Sequence, residues 1–342
     1  MSKFKIAVVL LLFNCVKALA YEFYYESPVT FLKGGVDHGG KDLSYNSFNK
    51  PDQLYSNKKF KFITTVNGQI SKDTYELIQD VPDPKEGEYE SALGKHFGNK
   101  YHVNSNASIF LSYKNFVLSP FYMKGRSNVQ LNYTVYPEAN GYINIDQGFL
   151  LAYGKRSGNF SYGINWFNFN RKYENYDVDI ISALNKVYKE EDNERLNSLN
   201  ASFSFYQNHS TGDSSEFYLN LKNFNHPNQD SKYSASNEDL IPISNVGYLR
   251  KHKNYNFEVT IVDLFTYYES LISNRVRMGV STSIDKYHIQ SIGAGLMDGG
   301  LSFGTTIGYK EFKISFASYE KNLYNFYEKK SRFYSFGINL GF

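Results

Sequence analysis

Apolar and polar residues alternate with a period of two along most of this chain. Ala107, Ile109, Leu111 and Tyr113 form one set, and Ile143, Ile145, Gln147, Phe149, Leu151 and Tyr153 another. Phe160 to Trp166, Leu199 to Phe205, Phe217 to Leu221 and Tyr255 to Ile261 repeat it. So do Val276 to Val280, Leu301 to Tyr309 and Phe312 to Phe316. A period of two places one strand face against something apolar. The final run, Arg332 to Phe342, sets Tyr334, Phe336, Ile338, Leu340 and Phe342 on one face and mostly small or polar residues on the other. Counting loosely patterned runs such as Lys58 to Val66, the chain predicts about fourteen strands, within bounds of about twelve to sixteen.

Between strands, Lys114-Asn115, Gly154 to Gly158, Asn208 to Ser214, Lys253-Asn254, Asp285-Lys286 and Lys310-Glu311 read as short turns. Every other connection belongs to a second set, containing 67–104, 172–198, 225–244, 263–274 and 320–331, with a turn at Pro137 to Gly141. Short turns at one end and long loops at the other are the pattern of transmembrane β-barrels, whose short turns face the periplasm. Helical spacing within two long connections predicts short helices at Ile70 to Val81 and Ile180 to Tyr188. An edge strand of a soluble sandwich is the bland reading of any one run, but a sandwich has no reason to sort its loops. No fixed internal period suggests a propeller. The expected fold is all-β: a transmembrane antiparallel β-barrel over 57–342 with helical insertions in its outer loops.

The first fifty-six residues break the pattern. Lys3 and Lys5 precede a short apolar run, Ile6 to Phe13, and Ala18-Leu19-Ala20 follows, so 1–20 reads as a signal peptide. Residues 21–56 hold Gly34-Gly35, Gly39-Gly40 and an Asn49-Lys50-Pro51 cluster, and predict an irregular, plug-like segment.

Composition narrows the class. Without the signal, the only cysteine, Cys15, is gone, which argues against a small disulfide-stapled secreted domain. Lys3, Lys5 and Lys17 leave with it, so basic residues then equal the 34 acidic ones and no surplus attracts nucleic acid. Mean hydropathy is −0.47, yet aromatics reach 18%. A barrel with aromatic girdles and a polar lumen combines the two.

The order of parts resembles the FadL superfamily of outer-membrane barrels. The shared features are a signal peptide, a glycine-rich start, an Asn-Pro-containing plug and about fourteen strands. Here the plug stretch is Asn49-Lys50-Pro51-Asp52-Gln53-Leu54, with an inserted lysine and no Ala-Gly. The resemblance implies a bacterial outer-membrane location and passive passage of a hydrophobic small molecule past a plug that includes Asn49, Pro51 and Leu54. It also implies a last strand, Tyr334 to Phe342, that the outer-membrane assembly machinery reads. The alternative is a barrel that transports nothing and anchors a secretion, conjugation or attachment complex.

No enzyme, cofactor or metal is expected. The seven histidines lie mostly in predicted loops and turns, outside any nucleophile motif, so surface histidines outweigh a loop-borne hydrolase. Gly293-Ala294-Gly295 reads as a strand end, not a phosphate loop. The sequons at Asn106, Asn132, Asn159, Asn200 and Asn208 fall mostly in strands, and chance accounts for them.

Overall fold

The alternation resolves into one closed sheet. In the computed structural model, which describes residues 27–36, 42–56, 59–80, 94–96, 98–133, 137–179, 187–209, 212–225, 242–264, 275–284, 289–309, 312–322 and 330–341, fourteen strands pair antiparallel, each with its neighbour in sequence. They are β1 (Lys61–Ser71), β2 (Lys100–Tyr113), β3 (Phe116–Tyr133), β4 (Pro137–Ser157), β5 (Phe160–Asp179), β6 (Val187–Asn208) and β7 (Ser214–Lys222). β8 (Ile243–His252), β9 (Tyr255–Ile261), β10 (Val276–Thr282), β11 (Ile289–Met297), β12 (Gly300–Tyr309), β13 (Phe312–Asn322) and β14 (Lys330–Gly341) complete the sheet. β1 then pairs with β14 from Ile63↔Gly341 to Ser71↔Phe333 and shuts the cylinder.

Closure gives each strand an outside and an inside. On β14, Tyr334, Phe336 and Leu340 face out, at 40%, 38% and 41% exposure, with Ile338 in the same row. Phe342 lies outside the described residues. The opposite row, Ser331, Phe333, Ser335 and Gly337, is buried. Val66, Leu118, Leu151, Ile164, Phe257, Val280 and Phe303 continue the exposed apolar surface around the cylinder. Inside, small polar residues dominate: Thr65, Asn67, Ser108, Ser119, Asn165, Ser202, Asn220, Thr260 and Ser315 are all buried. Such a surface is unfavourable in water and favourable in lipid, and lipid in turn demands the closed backbone ladder.

Strand length departs from expectation on one flank. Of the predicted loop 172–198, residues 172–179 and 187–198 are ladder, as is the predicted turn 137–141: Glu138↔Asp179 and Val178↔Val187 are paired registers of one long sheet extension. The helix expected at Ile180 to Tyr188 is therefore not formed at its end, since Val187 and Tyr188 are strand; residues 180–186 lie outside the described set. At Val187 and Tyr188 pairing with Val178 and Asp177 supplies the backbone partners that a helix would otherwise provide. The connection expected at Gly154 to Gly158 tightens to a turn at Gly158-Asn159, with Gly158 at φ 60°. The other predicted helix forms as α3 (Lys72–Asp80) directly after β1.

Among the described residues before β1, short helices stand where irregular backbone is expected. α1 (Pro28–Phe31) starts at Ser27, whose Oγ accepts from the Val29 amide; α2 (Leu43–Asn49) starts at Asp42, whose Oδ1 accepts from the Ser44 amide at 3.0 Å. A 3₁₀ turn, Pro51–Ser56, leads on toward β1. The predicted signal peptide lies outside the described residues.

Phe336 sits mid-strand on the outward face, against Phe316 at 5.1 Å between ring centroids. From that mid-strand position, Phe336→Arg is expected to cost about 2–4 kcal/mol, measured by urea unfolding from lipid vesicles.

Candidate functional site

Residues 27–35 and 42–56 lie within the sheet and pack against its inner wall. Two sets of wall glycines let their backbone approach. A Cβ on Gly163 would sit 2.2 Å from the Asp52 nitrogen, and one on Gly154 2.1 Å from the Pro51 oxygen. On the opposite wall, Cβ atoms at Gly279 and Gly295 would meet Lys33 and Gly34 at 2.0 and 2.6 Å. Gly293 and Gly295, expected at a strand end, are inside β11 and serve this approach.

The α2 end of the segment is held by polar side chains of β5, β6 and β7. Asn165 Nδ2 donates to the Ser47 and Phe48 carbonyls at 2.7 and 2.8 Å, satisfying acceptors that a helix C-terminus leaves open. Lys50, fully buried, donates from Nζ to Ser204 Oγ at 2.8 Å and lies 3.1 Å from Glu216 Oε1 and 3.6 Å from Asp52 Oδ1. Its ammonium also stands 4.0 Å from the Tyr218 ring centroid. Asp52 accepts from Ser161 Oγ at 2.8 Å, and its amide donates to Ser202 Oγ at 2.8 Å. Tyr218 in turn donates to Glu258 Oε1 at 2.7 Å, and Glu258 Oε2 lies 3.6 Å from Lys33 Nζ. One chain of contacts, Lys33–Glu258–Tyr218–Lys50–Glu216, therefore ties both parts of the segment to the wall. Charges this deep persist only when paired.

Above the ionic layer is an aromatic one. Phe48 stacks on Phe167 at 5.5 Å and meets Phe121 and Phe110 edge-on at 5.4 and 5.9 Å, with Leu150 and Leu54 in the same cluster. Beyond it, Arg171 and Asp146 form a buried bidentate pair at 2.8 and 3.0 Å. Phe31 stacks on Tyr319 at 4.0 Å on the other side.

Of the residues singled out from sequence, Asn49 ends α2 and is buried, Pro51 begins the 3₁₀ turn against Gly154, and Leu54 is in the aromatic cluster. Tyr334, Phe336, Ile338 and Leu340 are on the outer face, away from this site. Sequence reasoning passed over Lys50, Asp52, Glu216 and Glu258. The available signal was acidic residues at inward positions of strands, which mark a lumen that needs cations.

Four histidines are described. His252 Nδ1 lies 2.7 Å from Asp213 Oδ1 and His209 Nε2 2.8 Å from Ser215 Oγ, both at the short-turn end. His96, expected on a loop surface, is buried, because the turn after Gly94 folds it against Tyr101 and Asp80. No group of three metal-capable side chains occurs among the described residues.

A closed sheet, oily outside and polar within, defines a membrane-spanning β-barrel. Neither a protein-family model nor a curated protein matches the chain. Similar solved structures include the Pseudomonas putida toluene transporter TodX, at 6% identity and TM-score 0.49, covering 95% of this chain and 99% of that one. The Ralstonia pickettii toluene transporter TbuX is 8% identical at TM-score 0.49, over 92% and 97% of the two chains. The CymD monoaromatic hydrocarbon channel is 10% identical at TM-score 0.39, over 92% and 96%. At these values the barrel assignment rests on the strand ladder itself.

Replacing Lys50 with Met leaves Glu216 and Asp52 without their cation. The expected loss is about 3–5 kcal/mol, read as a lower urea midpoint and faster proteolysis within 27–56. Burial pushes the His96 imidazole below its ordinary value, although Asp80 beside it pulls the other way. A lowered folded pKa favours the fold while the ring is neutral. The packing of His96 against Asp80 and Tyr101 is therefore expected to hold above about pH 6.5 and loosen as pH falls through the lower folded value, seen as faster amide exchange in 94–101. His96→Gln should flatten that dependence.

Proposed function

We propose that this chain is a passive conduit of the bacterial outer membrane for hydrophobic small molecules, with residues 21–56 as its plug and 57–342 as its barrel. The observation that carries the reading is the aromatic pocket inside the lumen, occupied by Phe48 of the segment itself. A pocket that holds a phenyl ring suits a small apolar cargo of similar shape once Phe48 leaves. Asn49, Pro51 and Leu54 hold the plug near the wall, while Tyr334 to Phe342 supply the strand that the assembly machinery reads. The short-turn end faces the periplasm and the long flank of β3–β6 faces outward. No catalytic step is assigned to the histidines.

The second reading is a barrel that conducts nothing and anchors a partner complex. The firmly ion-paired segment within the lumen favours it. Deletion of 34–54 separates the two when conductance is measured in planar bilayers and entry of a small aromatic probe into vesicles. A conduit gains both; unchanged conductance removes the plug, and a barrel that passes no probe in either form is an anchor.

A further inference from the structure

The outward face carries a groove that neither the lumen nor the ladder explains. Two rows of side chains run across neighbouring strands near the short-turn end. Tyr113, Phe116 and Tyr153 lie side by side in register, and Leu118, Leu151 and Trp166 form the next row inward along the strands. Between them is a cleft of about 530 Å³, floored by backbone at Val117 and Ala152, whose side chains point into the lumen. No charged residue lines it. Leu199 of β6 also lines it, so at about 4.8 Å per strand the cleft spans about 19 Å from β2 to β6.

One end of this cleft is cationic. Lys155 is two residues beyond Tyr153 on the same outward row, and Lys114 sits in the adjoining turn with its Nζ 5.3 Å from the Tyr113 ring centroid. Both lysines are exposed, and neither is ion-paired among the described residues. Barrel tyrosines of such a girdle sit at headgroup depth. An ammonium just beyond them is level with lipid phosphate, and the cleft is level with the first methylenes of the chains.

We infer that this groove is a specific phospholipid site: one acyl chain lies between the two aromatic-aliphatic rows, and Lys114 and Lys155 bind an anionic headgroup. The inference rests on the membrane-barrel reading but not on conduction. Free phosphate fits the lysines but leaves the groove empty, so the occupant is the intact lipid.

The test uses the full chain in mild detergent, titrated with phosphatidylglycerol or phosphatidylcholine of matched acyl chains and read by native mass spectrometry. Wild type should retain phosphatidylglycerol preferentially. Lys114→Glu with Lys155→Glu should weaken it by about fivefold per lysine and leave phosphatidylcholine nearly unchanged. Leu151→Trp, which fills the cleft, should reduce retention of both. Heat-modifiable gel mobility confirms that each variant is folded. Should Leu151→Trp not fold, the lysine pair alone decides the matter. Equal retention of both lipids by wild type and the lysine variant overturns the proposal and leaves ordinary lipid-facing surface. A protein that stays monodisperse without detergent instead overturns the membrane reading beneath it.

Discussion

The ladder between β1 and β14 is the constraint on which everything else depends. Hydrocarbon offers no partner to a backbone amide, and an unpaired edge in lipid costs several kcal/mol per group. Nine consecutive residue pairs, from Ile63↔Gly341 to Ser71↔Phe333, remove both edges at once. Once the cylinder is shut, the parity of every residue is set. A slip of β14 by one residue would turn Phe336 and Leu340 inward and Ser335 outward.

That parity also creates the problem the amino-terminal segment answers. A lumen lined with Ser, Asn, Thr and a few acids is either wet or filled by something with matching polar groups. Here much of it is filled by the chain's own residues. The match is chemical: Asn165 meets the carbonyls ending α2, Ser204 relays between Lys50 and Glu216, and Glu258 links Tyr218 to Lys33. The aromatic layer around Phe48 adds shape, with each ring pair contributing about 0.5–1.5 kcal/mol. Buried ion pairs of this type are strong locally but contribute little net stability over an apolar core. They therefore specify where the segment sits more than how tightly the barrel holds together.

The sheet was legible in sequence because lipid imposes its alternation on every strand that crosses it. Phe160, Tyr162, Ile164 and Trp166 are readable for that reason. Toward the ends of β5 and β6 the sequence fills with Asp, Glu, Lys and Asn and the alternation fades. Charges around Asp177 to Asp192 then mimic a helical face, and paired strand at 172–179 and 187–198 passes for loop. The segment inside the barrel is opaque for a different cause. Its helices, seven residues or fewer, are too short to show a period. Its anchors, such as Lys50 and Ser204, lie 154 positions apart in the chain. Lys50 looked like a flaw in a motif, yet it is the residue around which the ionic layer is built.

The 3₁₀ turn at Pro51–Ser56 ends five residues before β1, the first strand, which closes the sheet against the last, β14. A stopper tethered a few residues from the seam cannot be threaded from afar. During biogenesis, the sheet either wraps around an amino-terminal stretch already nestled on β4–β6, or that stretch is drawn in through one rim afterward. Gly154 and Gly163, which clear room for it, are in β4 and β5, three and four places round the sheet from β1. Along the first route their cradle needs no closed seam, and sealing the seam becomes an act of capture.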